Sequence, residues 1–353
     1  MTVSESSSRE PAQPSASFNQ QEAQARLMPL IFGYRASLLL LAVAELRIAD
    51  ALAEGPLTCS EIASRTSTKE GPVYRVLRAL ATYGVFEEIE DGRFRLTPPA
   101  QLLRSDVPGS LRDLTLFTTS NWVQQSWGQL AHTMRTGETA FNHVHGMPLF
   151  EFLGSHPEEA GVFSRAMAGR STATETSILE SYDFSTATVV VDVGGGHGAH
   201  LGMLLKLHPN LHGVLFDVPH VVAGARTQLE SLGVADRCSF AEGDFFQAVP
   251  SGGDVYLMSR IIHDWNDERA AAILDQCRQV MPDDGKLLLI EEVIPSGNDP
   301  HPGKQTDMMM MLLPGGAERT EAEYRSLFLK SDFQLTRVIP TGSSLSVIEA
   351  VPA

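Results

Sequence analysis

The sequence is poor in cysteine, in positive charge and in long apolar runs. Its three cysteines, Cys59, Cys238 and Cys277, are too few and too scattered to form a disulfide framework or a metal-ligand set. We therefore expect a cytoplasmic protein that binds no metal. Acidic residues number 43 against 27 basic ones, and the net charge of −16 argues against nucleic acid or an anionic membrane as the partner.

Apolar segments near the beginning of the sequence are short. Residues 1–17 are polar and rich in serine and proline, which predicts a disordered tail and not a secretion signal. The most apolar run in this region, 38–44, is followed at once by Glu45, Arg47 and Asp50. This pattern predicts a buried helix and not a membrane span.

The most informative stretch is a glycine-rich turn that follows a strongly apolar segment. Residues 189–198 are Val-Val-Val-Asp-Val-Gly-Gly-Gly-His-Gly, which predicts a buried parallel strand, a sharp turn and a helix over 199–207. Gly194, Gly196 and Gly198 carry no side chain where the backbone must turn and approach a ligand. The helix start offers unpaired N–H groups. We expect a cofactor that carries a nucleoside to bind here.

Acidic residues at the ends of three successive predicted strands favour one class of cofactor. Asp192, at the mouth of the turn, would repel a pyrophosphate but attract an ammonium group. Asp217 follows the second strand, where a carboxylate can hold ribose hydroxyls. Asp244 and Phe245 follow the third and could offer an acceptor and an aromatic face to adenine. The set favours S-adenosylmethionine over a dinucleotide, although Asp217 and Asp244 could each simply cap a helix or form a turn.

Two further predicted strands end in candidate catalytic residues. His263 and Asp264 follow a strand near 254–258, and Glu291 lies at the end of a strand over 286–293. A carboxylate at the end of a buried strand needs water or a partner. If Glu291 faces His263, it favours the imidazolium and produces a general base poised near neutral pH. A lone histidine could equally be a satisfied polar residue, and Asp264 could cap the next helix.

The first third of the sequence has a different pattern. Residues 20–103 predict helices with short turns, a capping box between Thr58 and Glu61, and a hairpin around 91–92. Helices followed by a hairpin form a winged helix, a fold often used to bind DNA. A duplex-binding face should be basic, but the predicted wing is crowded with Glu87, Glu88, Glu90 and Asp91. A ligand-sensing regulator is therefore the minor alternative.

After residue 185, strands and helices alternate, which predicts an α/β fold with a doubly wound parallel sheet and ligands at the carboxyl ends of its strands. The length of 353 residues suffices for two or three domains. We expect a disordered tail (1–19), a winged-helix domain (20–110), a helical segment that links the halves or lines a pocket (111–184), and a cofactor-binding catalytic domain (185–353).

Five motifs resemble those of the S-adenosylmethionine-dependent O-methyltransferases typified by plant caffeic acid and flavonoid enzymes and by bacterial antibiotic-tailoring enzymes. In order, they are 191–196, 216–222, 243–246, 263–268 and 315–320. The resemblance extends from about residue 27 to the end of the sequence. It implies a Rossmann-like class I methyltransferase with an N-terminal winged helix used for dimerisation, hence a homodimer. The implied methyl acceptor is a hydroxyl of a small aromatic or polyketide-like natural product.

Site residues follow from this resemblance position by position. His263 would be the general base, with Glu291 and Glu318 flanking and orienting its ring. The cofactor would be held by Asp192, Gly194, Gly196, Asp217, Asp244, Phe245, Ser259 and Arg260. The acceptor pocket would include Phe163, Met167, Asp264, Met308 and Met311, with at least two of methionines 308–311 packed in the core. Many plant members have lysine where this sequence has Ser259. Alternatives for the same pocket are N- or C-methylation, or a recruited hydroxylation or decarboxylation.

Overall fold

The computed structural model describes residues 19–168 and 172–353. The predicted tail lies outside these residues, apart from Asn19, whose side chain caps the first helix. The N-terminal part has a small antiparallel sheet in the order β1-β3-β2. Its elements are α1 (Gln20–Phe32), α2 (Tyr34–Glu45), α3 (Ile48–Ala51), β1 (Leu57–Thr58), α4 (Cys59–Thr66), α5 (Glu70–Ala81), β2 (Phe86–Ile89), β3 (Arg93–Leu96) and α6 (Pro98–Gln101).

Local signals in this part of the sequence are confirmed. Thr58 donates its backbone N–H to the Glu61 carboxylate at 2.8 Å, and its hydroxyl accepts from the Glu61 N–H at 3.3 Å, which completes the predicted capping box. Strands β2 and β3 pair as the predicted hairpin. Helices and hairpin together form the expected winged helix.

The apolar faces of α1 and α2 are largely exposed in the single chain. In α2 only Val43 and Ala44 are buried, and α1 has no buried residue. The segment Gln20–Glu45 is long and apolar enough to cross a membrane. Of its most apolar 18-residue stretch, 11% is buried inside the structure. The expectation of a buried helix at 38–44 is largely confirmed, because Val43 lies in the core of the N-terminal part and Leu39 and Leu40 pack against that core, while Leu38 is exposed. The exposed apolar residues include Leu27, Met28, Leu30, Ile31, Phe32, Tyr34 and Leu38.

A group of short helices connects the two halves of the chain. They are α7 (Arg112–Thr118), α8 (Asn121–Trp127), α9 (Leu130–Thr136), α10 (Ala140–His145), α11 (Leu149–Ser155), α12 (Pro157–Ala168) and α13 (Thr172–Glu180). Helices α7, α8, α10, α11 and α12 share an aromatic core that includes Phe117, Phe141 and Phe152, whereas Ile178 and Leu179 of α13 pack in a core of the large sheet. Leu313, from the C-terminal half, belongs to the aromatic core. The segment is therefore packed onto the half that carries the glycine-rich turn.

The C-terminal half is a seven-stranded sheet in the order β6-β5-β4-β7-β8-β10-β9, with an apolar core on each face. Its strands are β4 (Val189–Val193), β5 (His212–Asp217), β6 (Cys238–Glu242), β7 (Val255–Ser259), β8 (Lys286–Glu292), β9 (Phe333–Pro340) and β10 (Leu345–Pro352). Its helices are α14 (Ala199–Leu207), α15 (Pro219–Ser231), α16 (Asp267–Val280), α17 (Gly303–Leu312) and α18 (Glu321–Lys330).

The fold class is as predicted, with one correction to the sheet. Strands β4 to β8 pair in parallel, but β10 runs antiparallel to both β8 and β9. The reason is the short connection 341–344, which reverses the chain as a hairpin and leaves no room for a crossover helix. The strand order also reverses direction at β4, which has β5 on one side and β7 on the other. Ligands of open α/β sheets bind at such a switch point, and the glycine-rich turn begins there.

Candidate active site

The glycine-rich turn after β4 is closely packed on two sides and open on the third. Gly194, Gly196 and Gly198 have φ angles of +70°, +59° and +78°. A Cβ atom on Gly194 would lie 2.6 Å from Cδ1 of Ile261, and one on Gly198 would lie 2.8 Å from Cδ1 of Leu215. A Cβ atom on Gly196 would meet nothing within 4 Å. Packing therefore requires glycine at 194 and 198, while position 196 borders open space that a ligand could occupy.

Asp217 at the end of β5 shapes this turn. Its Oδ2 atom accepts a hydrogen bond from the Gly196 N–H at 2.8 Å, and its Oδ1 atom accepts from the Val218 N–H at 2.7 Å. Burial raises the pKa of Asp217, and these two hydrogen bonds partly oppose that rise. The turn-forming role weighed from the sequence is therefore real. Because each carboxylate oxygen has a second lone pair, Asp217 can still accept from ribose hydroxyls.

Several buried polar atoms at the same edge lack a hydrogen-bond partner among the described residues, and two of them lie at the ends of β4 and β7. These two are Oδ2 of Asp192 and Oγ of Ser259. Asp192 is 2% exposed, and burial raises its pKa to about 6. Buried polar groups are normally paired, so both atoms suit a ligand with complementary polar groups. A cofactor with an ammonium group, such as S-adenosylmethionine, fits this set of donors and acceptors.

The residues predicted to surround adenine follow β6. Phe245 lies beside the glycine turn, since its ring is 3.7 Å from the position of a Cβ atom on Gly194. Asp244 is exposed, and its Oδ1 atom accepts from the Phe246 N–H at 2.9 Å. Its Oδ2 atom accepts from the Gln247 side chain at 3.3 Å. Asp244 therefore stabilises its own turn and remains accessible to a ligand.

Arg260 is directed towards the helical segment. Its guanidinium Nη1 atom lies 3.5 Å from Oε1 of Glu175 in α13. Glu175 is 6% exposed and also pairs with His200 in the first turn of α14. Glu175 and His200 were not predicted from the sequence, because no motif marks them and their contact depends on how α13 packs. The cofactor contact expected for Arg260 stays a prediction.

His263 lies in a short 3₁₀ turn over 262–264 and is 9% exposed. Its Nδ1 atom is 2.6 Å from Oε1 of Glu318 and 3.6 Å from Oε2 of Glu291. Both carboxylates thus flank the ring, in the arrangement that the resemblance implies. Because Glu318 engages Nδ1, Nε2 is the nitrogen left to meet another molecule. Nε2 lies 3.6 Å from Oδ1 of Asp264.

Glu291 also holds the backbone of the turn that carries His263. This residue is fully buried. Its Oε1 atom accepts from the backbone N–H groups of Ile261, Ile262 and His263 at 3.0, 2.9 and 3.4 Å. Glu291 therefore fixes where the histidine backbone lies, whereas Glu318 makes the direct hydrogen bond to the ring.

The acidic surroundings determine the protonation of His263. Burial alone would lower its pKa, but Glu291, Asp264 and Glu318 together raise it to about 10. Burial also raises the pKa of both glutamic acids, that of Glu291 to about 7. The expectation of a base poised near neutral pH considered Glu291 alone. Three carboxyl groups and not one face the ring, so the pKa of His263 lies above the value expected from Glu291 alone, and its role as a base stays a prediction.

Gly316 allows the Glu318 loop to approach His263. A Cβ atom at Gly316 would lie 2.0 Å from the carbonyl oxygen of His263. The neighbouring Ala317 N–H donates to that same oxygen at 2.9 Å. The paired glycines of the 315–320 motif were noted in the sequence without a role. The structure gives Gly316 a role, since a side chain at this position would push the loop of Glu318 away from the turn of His263.

Two of the predicted acceptor residues, Phe163 and Met167, lie in α12. They are half-buried and pack against the aromatic core of the helical segment. The ring of Phe163 meets that of Phe117 edge to face, with centroids 5.2 Å apart. Both therefore contribute to packing, and their contact with an acceptor stays a prediction.

The four methionines of α17 differ in burial, and core packing takes up two of them, as expected. Met310 is 7% exposed, and Met309 packs against the core of the helical segment. Met308 and Met311 are half-buried. Met309 and Met310 therefore serve packing. Met308 and Met311 remain candidates for lining the predicted acceptor pocket.

Comparison with known proteins identifies the two halves separately. The family model of the O-methyltransferase domain matches residues 127–334, and that of the O-methyltransferase dimerisation domain matches residues 28–106. The second match covers most of the winged helix and agrees with its acidic wing, since a dimerisation domain need not present a basic face to DNA.

Relatives align over almost the whole chain. The phenazine O-methyltransferase of Lysobacter antibioticus is 43% identical over 326 residues, which cover 92% of this chain and 95% of the relative. The O-demethylpuromycin O-methyltransferase of Streptomyces alboniger is 39% identical and covers 97% of this chain and 92% of its own length. The structure of CalO1, a methyltransferase of calicheamicin biosynthesis bound to S-adenosylhomocysteine, is similar with a TM-score of 0.84 and 37% identity, covering 96% of this chain and 100% of CalO1. The chain therefore belongs to the S-adenosylmethionine-dependent O-methyltransferases that act on aromatic or natural-product substrates.

Proposed function

We propose that His263 is the general base of this methyltransferase and that the acceptor is a hydroxyl of a small aromatic or polyketide-like natural product. The observation that carries the proposal is the pair formed by Nδ1 of His263 and Oε1 of Glu318, 2.6 Å apart. It leaves Nε2 to accept a proton. The turn also borders the cofactor edge, since Ile261 packs against Gly194.

The proposed chemistry divides the work among these side chains. Bound S-adenosylmethionine supplies an electrophilic methyl carbon, and its positive sulfur opposes the effect of the three carboxylates on the His263 pKa. His263 removes the hydroxyl proton at Nε2 while the acceptor oxygen is held in line with the methyl carbon. Glu318 stabilises the resulting imidazolium at Nδ1, and Glu291 keeps the turn in place.

Positioning contributes more than proton transfer in this proposal. Holding two reactants in the correct geometry can supply up to about 7–11 kcal/mol. A general base typically contributes about 10²–10⁴-fold, or roughly 3–5 kcal/mol. Loss of His263 should therefore leave a slow but measurable reaction, provided that the cofactor and acceptor sites remain intact.

The cofactor site in this proposal is formed by the carboxyl ends of the parallel strands. Its residues are Asp192, Gly194, Gly196, Asp217, Asp244, Phe245, Ser259 and Arg260. The acceptor site lies between α12, α17 and the His263 turn, with Phe163, Met167, Asp264, Met308 and Met311 as its lining. An aromatic acceptor suits this mostly apolar set. The names of the phenazine and demethylpuromycin enzymes agree with this class of acceptor.

We also propose that the chain works as a cytoplasmic homodimer. Except for Leu27, the exposed apolar residues of α1 and α2 lie on the segment matched by the dimerisation model, and a second copy would cover them. Light scattering should then give twice the mass of one chain without detergent. A monomer that partitions into phospholipid vesicles would contradict this assignment.

Turnover of a His263→Ala variant tests the proposed base. Methyl transfer is followed from labelled cofactor to a panel of hydroxylated aromatic compounds, with mass spectrometry to detect the added methyl group. We expect kcat to fall about 10²–10⁴-fold while the Kd for S-adenosylmethionine stays unchanged in calorimetry. His212→Ala, at an exposed position at the start of β5, is the matched control.

Each outcome distinguishes between the candidate functions. Near-normal turnover of His263→Ala would remove this residue from proton transfer and leave positioning alone. Hydroxylated or decarboxylated products without methyl transfer would favour a recruited reaction. Methylation of amines but not of hydroxyls in the same panel would favour N-methylation.

A further inference from the structure

We propose that Arg319 is a positioning residue that sets the distance between His263 and Glu318. The inference rests on the proposed function, in which His263 acts as the general base. Arg319 directly follows Glu318, and no role was expected for it from the sequence. Its side chain is 2% exposed, so the charged group is held inside the protein.

The guanidinium group spans the turn that carries His263. Its Nη1 atom donates to the carbonyl oxygen of Ile262 at 3.2 Å, and its Nη2 atom donates to that of Trp265 at 2.8 Å. These carbonyls lie on either side of His263 in the sequence. One rigid planar group thus fixes both ends of the turn from which the imidazole projects.

The same side chain joins this turn to the loop of Glu318. Nη1 also donates to the carbonyl oxygen of Ala317 at 3.1 Å. The backbone of Arg319 is tied to the end of β8, because its carbonyl oxygen accepts from the Ile294 N–H at 3.1 Å. Arg319 therefore links the segments that carry the base and both of its flanking carboxylates.

The charge of Arg319 is already satisfied inside the protein. Its Nε atom donates to Oδ1 of Asp267 at 3.0 Å, and Lys330 lies 3.3 Å from the other oxygen of that carboxylate. The guanidinium of Arg319 donates hydrogen bonds to one carboxylate and three backbone carbonyls, all of them protein groups. Its function is accordingly to position His263 and not to bind an anionic substrate.

This geometry predicts an effect on rate that passes through the histidine. The 2.6 Å contact between Nδ1 and Glu318 requires the two loops to stay in register. A misplacement of about 1 Å at a reacting group can cost about 10²-fold in rate. Lysine at 319 would keep the positive charge but, as a point charge on a flexible stem, could not hold three carbonyls in fixed directions.

The test compares Arg319→Lys with Arg325→Lys, a conservative control in α18 whose side chain is 49% exposed and pairs with Glu321. For Arg319→Lys we expect kcat to fall about 10–100-fold, with unchanged KM for the acceptor and unchanged Kd for the cofactor. The rising limb of the pH–rate profile should also move to lower pH, because a looser contact with Glu318 stabilises the imidazolium less. Arg325→Lys should match the wild type in every measurement.

A double variant separates this proposal from the proposed base itself. If Arg319 acts through His263, Arg319→Lys should cost little further rate in a His263→Ala background. An equal loss in both backgrounds would overturn the positioning role. Near-normal rate of His263→Ala alone would instead refute the base. Should Arg319→Lys fail to fold, Asp267→Asn loosens the same guanidinium from an exposed position, and an unchanged pH–rate profile of that variant would also overturn the proposal.

Discussion

Oε1 of Glu318 lies 2.6 Å from Nδ1 of His263, and this contact leaves Nε2 as the ring nitrogen that can meet another molecule. Glu291, which the resemblance also places beside the ring, lies 3.6 Å from the same nitrogen, and its other carboxylate oxygen accepts from backbone N–H groups. The two acids thus have different tasks. Glu318 forms the hydrogen bond to the ring of His263, and Glu291 fixes the backbone of the turn.

Replacing Glu318 by glutamine should shift the pH dependence of the reaction. Burial lowers the His263 pKa, but the carboxylates overcome this and raise it to about 10, so removal of one negative charge should bring it down. Because the base works in its neutral form, the rising limb of kcat/KM against pH should move to lower pH. The maximal rate should fall, since the imidazolium formed in the reaction loses its partner.

The matched control for this change is Glu321→Gln, whose side chain is 54% exposed and pairs with Arg325 on the surface. Its profile should overlie that of the wild type. The profiles must extend above pH 10, because the rising limb of the wild type follows the raised pKa of His263. If the rising limb of kcat/KM against pH is unchanged in Glu318→Gln, a group other than His263 controls the pH dependence of the rate.

Asp217→Ala should weaken cofactor binding. The carboxylate accepts from the Gly196 N–H and is placed to accept from ribose hydroxyls, so its loss affects both the turn and the ligand. Hydrogen bonds to a charged group contribute about 1.5–3 kcal/mol each, so the Kd for S-adenosylmethionine should rise about 10–100-fold in calorimetry. Asp236→Ala, at an exposed position, should leave the Kd unchanged. An unaltered Kd for Asp217→Ala would contradict the ribose assignment.

Local patterns predicted the elements of the catalytic half well. The helix expected over 199–207 is α14 (Ala199–Leu207), and the strand ends at Asp217 and Glu242 lie where the apolar runs stop. The direction of β10 was missed, because an apolar run predicts a strand but not which way it runs. The exposure of α1 was also missed, since apolar spacing predicts a covered face without saying what covers it.

The site was predictable as far as residues lie in contiguous motifs. The resemblance placed Glu291 and Glu318 beside His263, and the structure brings them together. It could not supply the His263 pKa, which depends on carboxylates from three separate segments. The contact of Arg260 with Glu175 was equally out of reach, because it joins residues far apart in sequence and requires the packing of α13.

Gly316→Ala should reduce both activity and stability. The added Cβ atom would lie 2.0 Å from the carbonyl oxygen of His263, so one loop must move and the contact between His263 and Glu318 must lengthen. Overpacking of this kind costs about 1–3 kcal/mol of unfolding free energy. Chemical denaturation and kcat should show both losses together.

The comparison for this variant is Gly154→Ala in α11, where an added Cβ atom meets nothing within 4 Å. Alanine is favoured over glycine inside helices by roughly 0.5–1 kcal/mol, so this control should be neutral or slightly stabilising. Full activity of Gly316→Ala would show that the reaction does not require the close approach of the Glu318 loop to the His263 turn.

Glu349→Gln should remove a pH-dependent part of the stability. Burial raises the pKa of Glu349, but hydrogen bonds from Arg337, Thr336 and Tyr182 outweigh it and lower the pKa to about 2. A lowered pKa means stability that is present above the unfolded-state value near 4.5 and lost as pH falls towards 2. We expect the variant to be about 2 kcal/mol less stable at neutral pH, with the difference shrinking below about pH 4.5.

Urea denaturation at several pH values measures this difference, with the exposed Glu230→Gln as the control. The control should lose little stability at any pH. A gap between wild type and Glu349→Gln that stays constant down to acid pH would show that the carboxylate titrates normally in the folded protein.

The antiparallel position of β10 has a consequence for how the protein is made. Strand β8, which carries Glu291, lies between β7 and β10, and Ser346 is the register partner of Glu291. On the ribosome, β8 emerges long before β10 and must wait with one side unpaired. Such an edge can recruit a neighbouring nascent chain. The edge of β8 beside Glu291 is therefore completed late in synthesis, and we expect chaperone binding during translation to be concentrated on the interval between β8 and β10.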